Sequence, residues 1–569
     1  MRFNKNSLKT VIISDLIIII TIAVIIPNLL NLVNLDLKIK IISNLANILI
    51  FLNIITVIID LIYLILKREN YFYLASLNMA LSISIFLLLE YGFVNDYYNL
   101  VYVWSYSESN LSLIYKIVAI WAGEAGSIMT WMVFNSIVIF FYRIKNQDKE
   151  DSVFIWSSVI SMLISISFLV ILFSLNPFKV EEPIIYPDGR GLNPILISPF
   201  MIWHPFFTFI AYAIFLIPFT INIVETIKPK LSLKNPYQKS FYNFSLKFGW
   251  LVITLSISLG AYWAKITSSW GRYWGWDPVE VVSLIPWFFC TAYFHSNIFK
   301  VKNAKILKVN AILIFFSIMF ATLITRGGGL SSLHAFTGDA GLALWVIVIG
   351  ISLLILAIYV IYEVLNYLLE EYHKIRNFFD YLSYLILFCL SFVCTFGLII
   401  PPLTNLISNF IDINPILVGP NFFIISTFIL AIILAVSLIF CSLQDIFKVK
   451  WITLTMVITF LIQLIVSLVL VVLIDIWINP FMSIYYYALF ASLFKLIKRN
   501  NLKMGIQRFF RINSKTIIHG GISFILIGTL IDINYGMILD IFYISGFIFL
   551  LVGIIPSIFI LFFLKKNVT

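Results

Sequence analysis

NFFIISTFILAIILAVSLIFCSL, residues Asn421–Leu443, runs for 23 residues without a charged side chain. As a helix rising 1.5 Å per residue it is about 35 Å long, enough to cross the roughly 30 Å hydrocarbon layer of a bilayer. Lipid offers no partners for peptide groups, so such a run must satisfy its own N–H and C=O groups, and the helix does so within one segment. The same reading applies along the whole 569-residue chain. The expected spans are 11–33, 43–66, 71–91, 116–142, 153–175, 201–224, 246–264, 281–299, 309–325, 342–366, 379–401, 421–443, 451–476, 480–497, 516–532 and 541–564. Composition agrees: 61% of residues are hydrophobic and 11% charged, with a mean hydropathy of +1.02. A soluble domain is roughly 45–50% apolar and about 25% charged. The expected fold is an all-α polytopic transmembrane helix bundle of about sixteen spanning helices, forming a single membrane domain over residues 1–569.

The start, MRFNKNSLKT, is basic and precedes the apolar run 11–33. That run exceeds the about 7–15 residues of a signal-peptide core, and no small-x-small cleavage site follows, so an uncleaved first helix is expected. Alternate crossings divide the hydrophilic breaks into two sets. One set, which includes both termini, holds 30 of the 38 Lys and Arg, and the other holds 8. Basic loops stay on the inner side, so both termini are placed in the cytoplasm or matrix. The net charge of +11 is thus an orientation signal, and no nucleic-acid partner is implied. Residues 92–115, 176–200, 265–280 and 326–341 fall on the outer face. Cys290, Cys389, Cys394 and Cys441 each lie in an apolar stretch and none forms Cys-x-x-Cys. A thiol redox motif, a zinc site and covalent haem attachment to this chain are therefore unsupported. A proton-pumping subunit would need Lys and Glu chains at mid-membrane; Glu124 is read as nearly alone there.

The outer segment Trp270-Gly-Arg-Tyr-Trp-Gly-Trp-Asp277-Pro278-Val-Glu280 packs three Trp and one Tyr into seven residues. An interface belt of aromatics is one reading. It leaves the glycine spacing, Arg272 and Asp-Pro unexplained. Indole faces stack on planar conjugated ligands, and glycine lets backbone approach them closely, so a shelf for a flat apolar ring such as haem is the other. Asp277 and Glu280, one turn apart at Pro278, read as helix caps. Arg272 and Arg326 read either as forks for ligand carboxylates or as partners of Asp277, Glu280 or lipid phosphate.

Histidine inside a membrane is costly and usually functional. His295 lies five residues before Lys300, and His519 four residues after Lys515. On the expected topology both lie about 6–7 Å from the same inner face. Either they bind one iron from opposite sides or they are two unrelated hydrogen-bonded histidines. His204 and His334 belong to the outer side. His373, in Glu-Glu-Tyr-His-Lys, reads as part of a solvated inner connector.

Residues Trp270–His295, WGRYWGWDPVEVVSLIPWFFCTAYFH, closely resemble the WWD signature of haem-handling cytochrome c assembly proteins. Further segments resemble one branch, the CcmF-type large subunit of the system I cytochrome c haem lyase. They are Trp121–Trp131 (WAGEAGSIMTW), Asn176-Pro177-Phe178, Gly191–Pro194, Trp203-His204-Pro205, Arg326-Gly with Ser332–Phe336, and His519-Gly-Gly. They run in family order over roughly residues 90–530. Val281, Tyr273 and Glu124-Ala125 depart from the usual residues. Only about Asp532–Leu539 separates the last two expected helices, so no large extracytoplasmic domain precedes the last one, as one does in bacterial members. One extra N-terminal helix is also expected relative to that pattern.

The resemblance implies a permanent intramembrane haem b on His295 and His519. It also implies a second, transient haem at the outer face on His204 and His334. That haem would lie over Trp270, Tyr273, Trp274 and Trp276, with Asp277, Arg272 and Arg326 nearby. The implied function is haem holding, reduction and thioether attachment to the Cys-x-x-Cys-His of apocytochrome c. The implied partners are a CcmE-type haem chaperone, apocytochrome c, lyase subunits of the CcmH/CcmI type, quinol and membrane lipid. A haem exporter and a system II-type synthase are the alternative readings. The implied membrane is a prokaryotic plasma membrane, with the mitochondrial inner membrane as the alternative.

Overall fold

The computed structural model describes residues 5–66, 71–144, 151–181, 187–228, 230–231, 233–267, 271–295, 305–326, 378–408, 410–411, 414–474, 478–499, 505–531 and 536–563. Among these the regular elements are helices, apart from an isolated antiparallel bridge between Leu100 and Val180. The long helices are α1 (Lys5–Ile20), α2 (Leu35–Ile65), α3 (Tyr71–Val94), α4 (Glu124–Ile144), α5 (Ser152–Leu175), α6 (Pro199–Ile214), α7 (Leu216–Ile227) and α8 (Pro236–Thr267). They continue as α9 (Pro278–His295), α10 (Lys305–Arg326), α11 (Phe378–Ser408), α12 (Pro420–Leu443), α13 (Val449–Ile474), α14 (Met482–Arg499), α15 (Ile506–Leu530) and α16 (Gly536–Phe563).

Twelve spans among the described residues are long and apolar enough to cross a membrane. The chain is a multi-pass membrane protein whose described residues form helices as their regular elements. Three further expected spans, 281–299, 480–497 and 516–532, are present as α9, α14 and α15 but stand outside the twelve. Glu280, Pro286 and His295 dilute the 18 residues of α9. Lys495, Lys498 and Arg499 do the same for α14, and α15 opens on the basic stretch IQRFFRINSK. The expected span 342–366 lies outside the described residues. The expected span 201–224 is broken at Phe215 into α6 and α7, where Pro218 has no N–H to return to the preceding turn.

The described residues pack as two compact units, one made of those up to Gly249 together with Thr325 and Arg326, the other of those from Trp250 to Ile324 and from Phe378 on, with the division inside α8. In the first unit α3 packs on α1, α2 and α4, and α5 packs on α2, α4 and α7. Asn34 caps α2 by accepting from Leu37 N at 2.9 Å, and Asp151 caps α5 by accepting from Val153 N at 3.0 Å and Phe154 N at 3.1 Å. These bonds satisfy amide groups that a helix start leaves open. At the centre of this unit Arg143 forks onto Asp60 at 2.5 and 2.8 Å, with both side chains 0% exposed.

Arg143 is thus a fully buried ion-pair partner. Glu124 is half-buried, and the acidic residues Asp15, Asp60 and Glu90 are buried. Hydropathy averages hide single charges inside long apolar runs, and a pair that neutralises itself adds no net charge to reveal it.

In the second unit α9 packs on α11, α11 on α12, α12 on α14, and α15 on both α14 and α16. The α15–α16 contact is very close. A Cβ on Gly521 would lie 2.8 Å from Gly546 O, and one on Gly546 would lie 2.9 Å from Gly521 O. Small residues that let backbones touch are how helices associate in lipid, where no hydrophobic force drives them together.

Candidate functional site

α9 ends on His295. The His295 Nδ1 lies 2.8 Å from the Thr291 carbonyl, one turn back. A carbonyl only accepts, so Nδ1 carries the proton and the lone pair resides on Nε2. This is the arrangement by which a ligand histidine is oriented from behind. Thr291 is itself fixed: its hydroxyl accepts from Trp250 Nε1 at 2.8 Å and donates to the Trp287 carbonyl at 2.7 Å. The Trp250 and Trp287 rings stack at 5.8 Å and 27°. Trp287 Nε1 donates to Thr254 Oγ1 at 2.8 Å. This indole pair seats α9 on the α8 segment of the same unit.

His519 lies on α15, and the structure brings it opposite His295. The two ring centroids are 6.3 Å apart and the ring planes differ by 13°. Both rings are half-buried. A metal–imidazole bond is about 2.0–2.1 Å. With ring bonds near 1.3 Å, a ring nitrogen sits about 1.1 Å from its centroid. Two such bonds to one ion would set centroids about 6.3 Å apart where both nitrogens face it, and the two rings stand at that separation. No cluster of three or more His, Cys, Asp or Glu able to hold a metal occurs among the described residues. The donor set is a pair of imidazoles, which suits an iron whose equatorial positions a macrocycle fills.

The aromatic segment between α8 and α9 is described from Gly271 on; Trp270 lies outside the described residues. Asp277 caps α9, accepting from Val279 N at 2.9 Å. Glu280 reaches back to accept from Asp277 N at 3.3 Å and from Gly275 N at 2.8 Å. This is the reciprocal capping arrangement, as expected from Asp277 and Glu280. Trp276 adopts a left-handed backbone (φ 57°) and its ring lies parallel to Phe423, at 6.0 Å and 1°. Trp274 packs edge-on to Trp276 at 6.3 Å, and its Nε1 is buried with no hydrogen-bond partner among the described residues. Arg272 is exposed. Tyr273 is 1% exposed, and its hydroxyl donates to Asp540 Oδ1 at 2.7 Å. Burial, then the Asp540 carboxylate, hold the Tyr273 phenol above its ordinary range, so it remains a donor.

In the first unit His204 lies in the second turn of α6, which Ser198 caps and Pro199 opens. Trp121 Nε1 donates to the Met201 carbonyl at 3.0 Å, which ties the Trp121–Trp131 motif to the turn before His204. The motif folds sharply here. A Cβ on Gly126 would lie 1.7 Å from Ile120 O, so only glycine fits. Trp131, 2% exposed, packs on Phe168 at 4.6 Å and on Tyr212 of α6 at 5.4 Å. His334 and His373 lie outside the described residues. Arg326 closes α10, and its side chain lies outside them too. Sequence reasoning missed Asp540, Lys265 and Tyr543, whose shared contacts join residues about 270 positions apart in sequence. An Asp within the first two turns of an otherwise apolar last helix was the available signal.

Residues 121–333 match the family model described as "Cytochrome C assembly protein". The assembly-protein signature therefore covers the region from the Trp121 motif through the aromatic segment and α9. Among curated relatives, the cytochrome c-type biogenesis protein CcmF of Escherichia coli (strain K12) is 34% identical over 281 residues, covering 48% of this chain and 43% of that protein. The biogenesis protein NrfE of Haemophilus influenzae is 33% identical over 271 residues, covering 47% and 42%. The matched part spans less than half the length of these relatives. A solved structure, "Cytochrome c Heme Lyase CcmF", superposes with a TM-score of 0.65 at 15% identity, covering 87% of this chain and 77% of that one; at that identity the likeness speaks to the fold. Over about half of its length the chain is thus similar to cytochrome c-type biogenesis proteins of the CcmF kind, and it shares its fold with the solved CcmF structure.

Proposed function

We propose that this chain is the haem-handling subunit of a cytochrome c haem lyase. In this reading it holds haem at the outer membrane face and promotes its reduction and its thioether attachment to the Cys-x-x-Cys-His of apocytochrome c. The observation that carries the proposal is the His295–His519 pair, 6.3 Å between centroids and 13° between planes, with the His295 lone pair directed to Nε2 by the Thr291 carbonyl. These two side chains would hold a resident haem b. A bis-histidine haem supplies a one-electron carrier inside the membrane. Thr291, Trp250 and Trp287 orient the first imidazole, and the Gly521–Gly546 contact seats the helix of the second.

His204 and His334 are proposed as ligands of a transient outer haem. Trp270, Trp274 and Trp276 are its aromatic shelf, and Arg272 and Arg326 are partners for its carboxylates. The unmet Trp274 Nε1 donor supports an aromatic segment built to receive a further acceptor, because an indole N–H can only donate. The proposed topology keeps both termini inside a prokaryotic plasma membrane. The proposed partners are a CcmE-type haem chaperone, CcmH/CcmI-type subunits, apocytochrome c and a quinol donor.

The test separates the two histidine pairs. His204→Ala and His334→Ala should each abolish cytochrome c maturation in a complementation strain while the purified chain keeps its resident haem spectrum. A haem exporter would instead show no stoichiometric resident haem. Four single histidine variants that all retained maturation and haem would overturn the assignment.

A further inference from the structure

The aromatic segment is held from two directions. On the α9 side Glu280 accepts from Gly275 N and Asp277 N. On the other side stands α16. The Tyr273 ring stacks on Tyr543 at 4.4 Å and 15°, and its hydroxyl donates to Asp540 Oδ1 at 2.7 Å. Lys265, at the end of α8, pairs with the same carboxylate oxygen and stands 5.2 Å from the Tyr273 ring centroid. Tyr262 flanks that ring at 5.9 Å. Asp540 thus gathers one donor from the residue that leads into the segment and one from within it.

Such a double anchorage has a physical purpose. A non-glycine residue in the left-handed region is sterically disfavoured, and it persists only where its surroundings over-determine it. Trp276 is such a residue (φ 57°). Released on one side, the segment can relax Trp276 and move its ring off Phe423. The tyrosine at 273 is the feature that makes the anchor possible: its hydroxyl reaches the Asp540 carboxylate while its ring is buried against Tyr543.

We propose that Asp540 is a positioning residue which, through Tyr273 and Lys265, clamps the Trp274–Trp276 segment to α16 in the arrangement that receives a planar macrocycle. Tyr273 then serves the site from behind and does not offer its own face to the ligand. This inference rests on the haem-holding reading of the segment given above.

The experiment uses the purified full chain in detergent and compares wild type with Asp540→Asn, Asp540→Glu and Tyr273→Phe. Hydrogen–deuterium exchange reads the amides of 271–277. Haemin titration, followed by tryptophan quenching, reads outer binding, and the resident haem band reads the integrity of the bundle. Exchange over 271–277 should accelerate in Asp540→Asn. Haemin affinity should fall by about 10–100-fold, the usual effect of losing an outer-sphere partner, with Asp540→Glu recovering part of it and the resident band unchanged. If Asp540→Asn loses the resident band through misfolding, Tyr273→Phe, which removes one oxygen, carries the test. Unchanged exchange in 271–277 overturns the clamp. Faster exchange with unchanged haemin affinity overturns its positioning role and leaves the haem-holding reading intact. A wild-type chain that binds no added haemin sinks that reading, and this one with it.

Discussion

Replacing His519 with alanine tests the site most directly. In the proposed reading, the 6.3 Å between the His295 and His519 centroids would comprise about 4 Å for two metal–nitrogen bonds and about 2.2 Å for the two ring radii. His519→Ala removes one bond and one radius together. Ligand bonds hold within about 0.2 Å of their ideal length, and a methyl stump cannot approach that. If the two imidazoles hold the proposed haem, the variant should therefore lose the low-spin absorption band. Its retention should fall by more than the about 10–100-fold that loss of a mere outer-sphere partner costs. Imidazole added to the buffer should restore the low-spin band, because truncation leaves a ring-sized space facing His295. His295→Ala should behave alike. The assay is the oxidised and dithionite-reduced absorption spectrum of the purified chain, with haem per chain measured as the pyridine haemochrome. Low-spin spectra at wild-type stoichiometry in both variants would show that these rings do not share an iron.

Other outcomes follow from the packing and the loops. Arg143→Met alone should cost about 3–5 kcal/mol, because it strands the buried Asp60 carboxylate, whereas Asp60→Leu/Arg143→Met should recover most of that loss. Thermal unfolding in detergent decides, and a double variant as unstable as the single one contradicts the pairing. Gly521→Val places a side chain 2.8 Å from Gly546 O. It should cost about 1–3 kcal/mol through overpacking and reduce haem retention, and an unaltered melting curve would refute the close contact.

Asp188 accepts from Ser109 Oγ at 2.7 Å, Ser109 N at 2.8 Å and Gly189 N at 2.7 Å, and these bonds, the Ser109 hydroxyl first, hold its carboxyl below the ordinary carboxylate range. A carboxyl depressed on folding contributes stability above its unfolded pKa and loses it as pH falls through the folded one. Protection of the 187–191 backbone from exchange should therefore be level at neutral pH and fall only in strong acid. Asp188→Asn should flatten that dependence, and an unchanged acid transition in this variant would refute the assignment.

The bundle was legible because lipid imposes one rule on every span, and the runs of uncharged residues obey it one after another. The histidine pair was legible for a related reason. Two costly side chains at one depth near basic helix ends leave a shared ligand and two unrelated histidines both open, and α9 and α15 bring those rings to 6.3 Å. The caps at Asp277 and Glu280 were readable because capping is local, confined to four residues. What composition could not reveal is contact between distant positions. Asp60 and Arg143 are 83 residues apart, and Tyr273 and Asp540 are 267 apart. Neither pair disturbs a hydropathy average, so each became visible only once the helices had been placed. The spans at α9, α14 and α15 fall short of membrane apolarity for a kindred reason: α9 and α15 carry the histidines and α14 basic side chains, the polar groups that hydropathy penalises.

The small angle between the two imidazole planes has a spectroscopic corollary. When axial imidazoles lie nearly parallel, their π-donation falls along one direction of the porphyrin and lifts the degeneracy of the iron d orbitals strongly. If His295 and His519 hold the proposed haem at the 13° their rings show, its ferric form should give a rhombic, three-line paramagnetic resonance in frozen solution. The single, very low-field feature of crossed ligand planes should be absent.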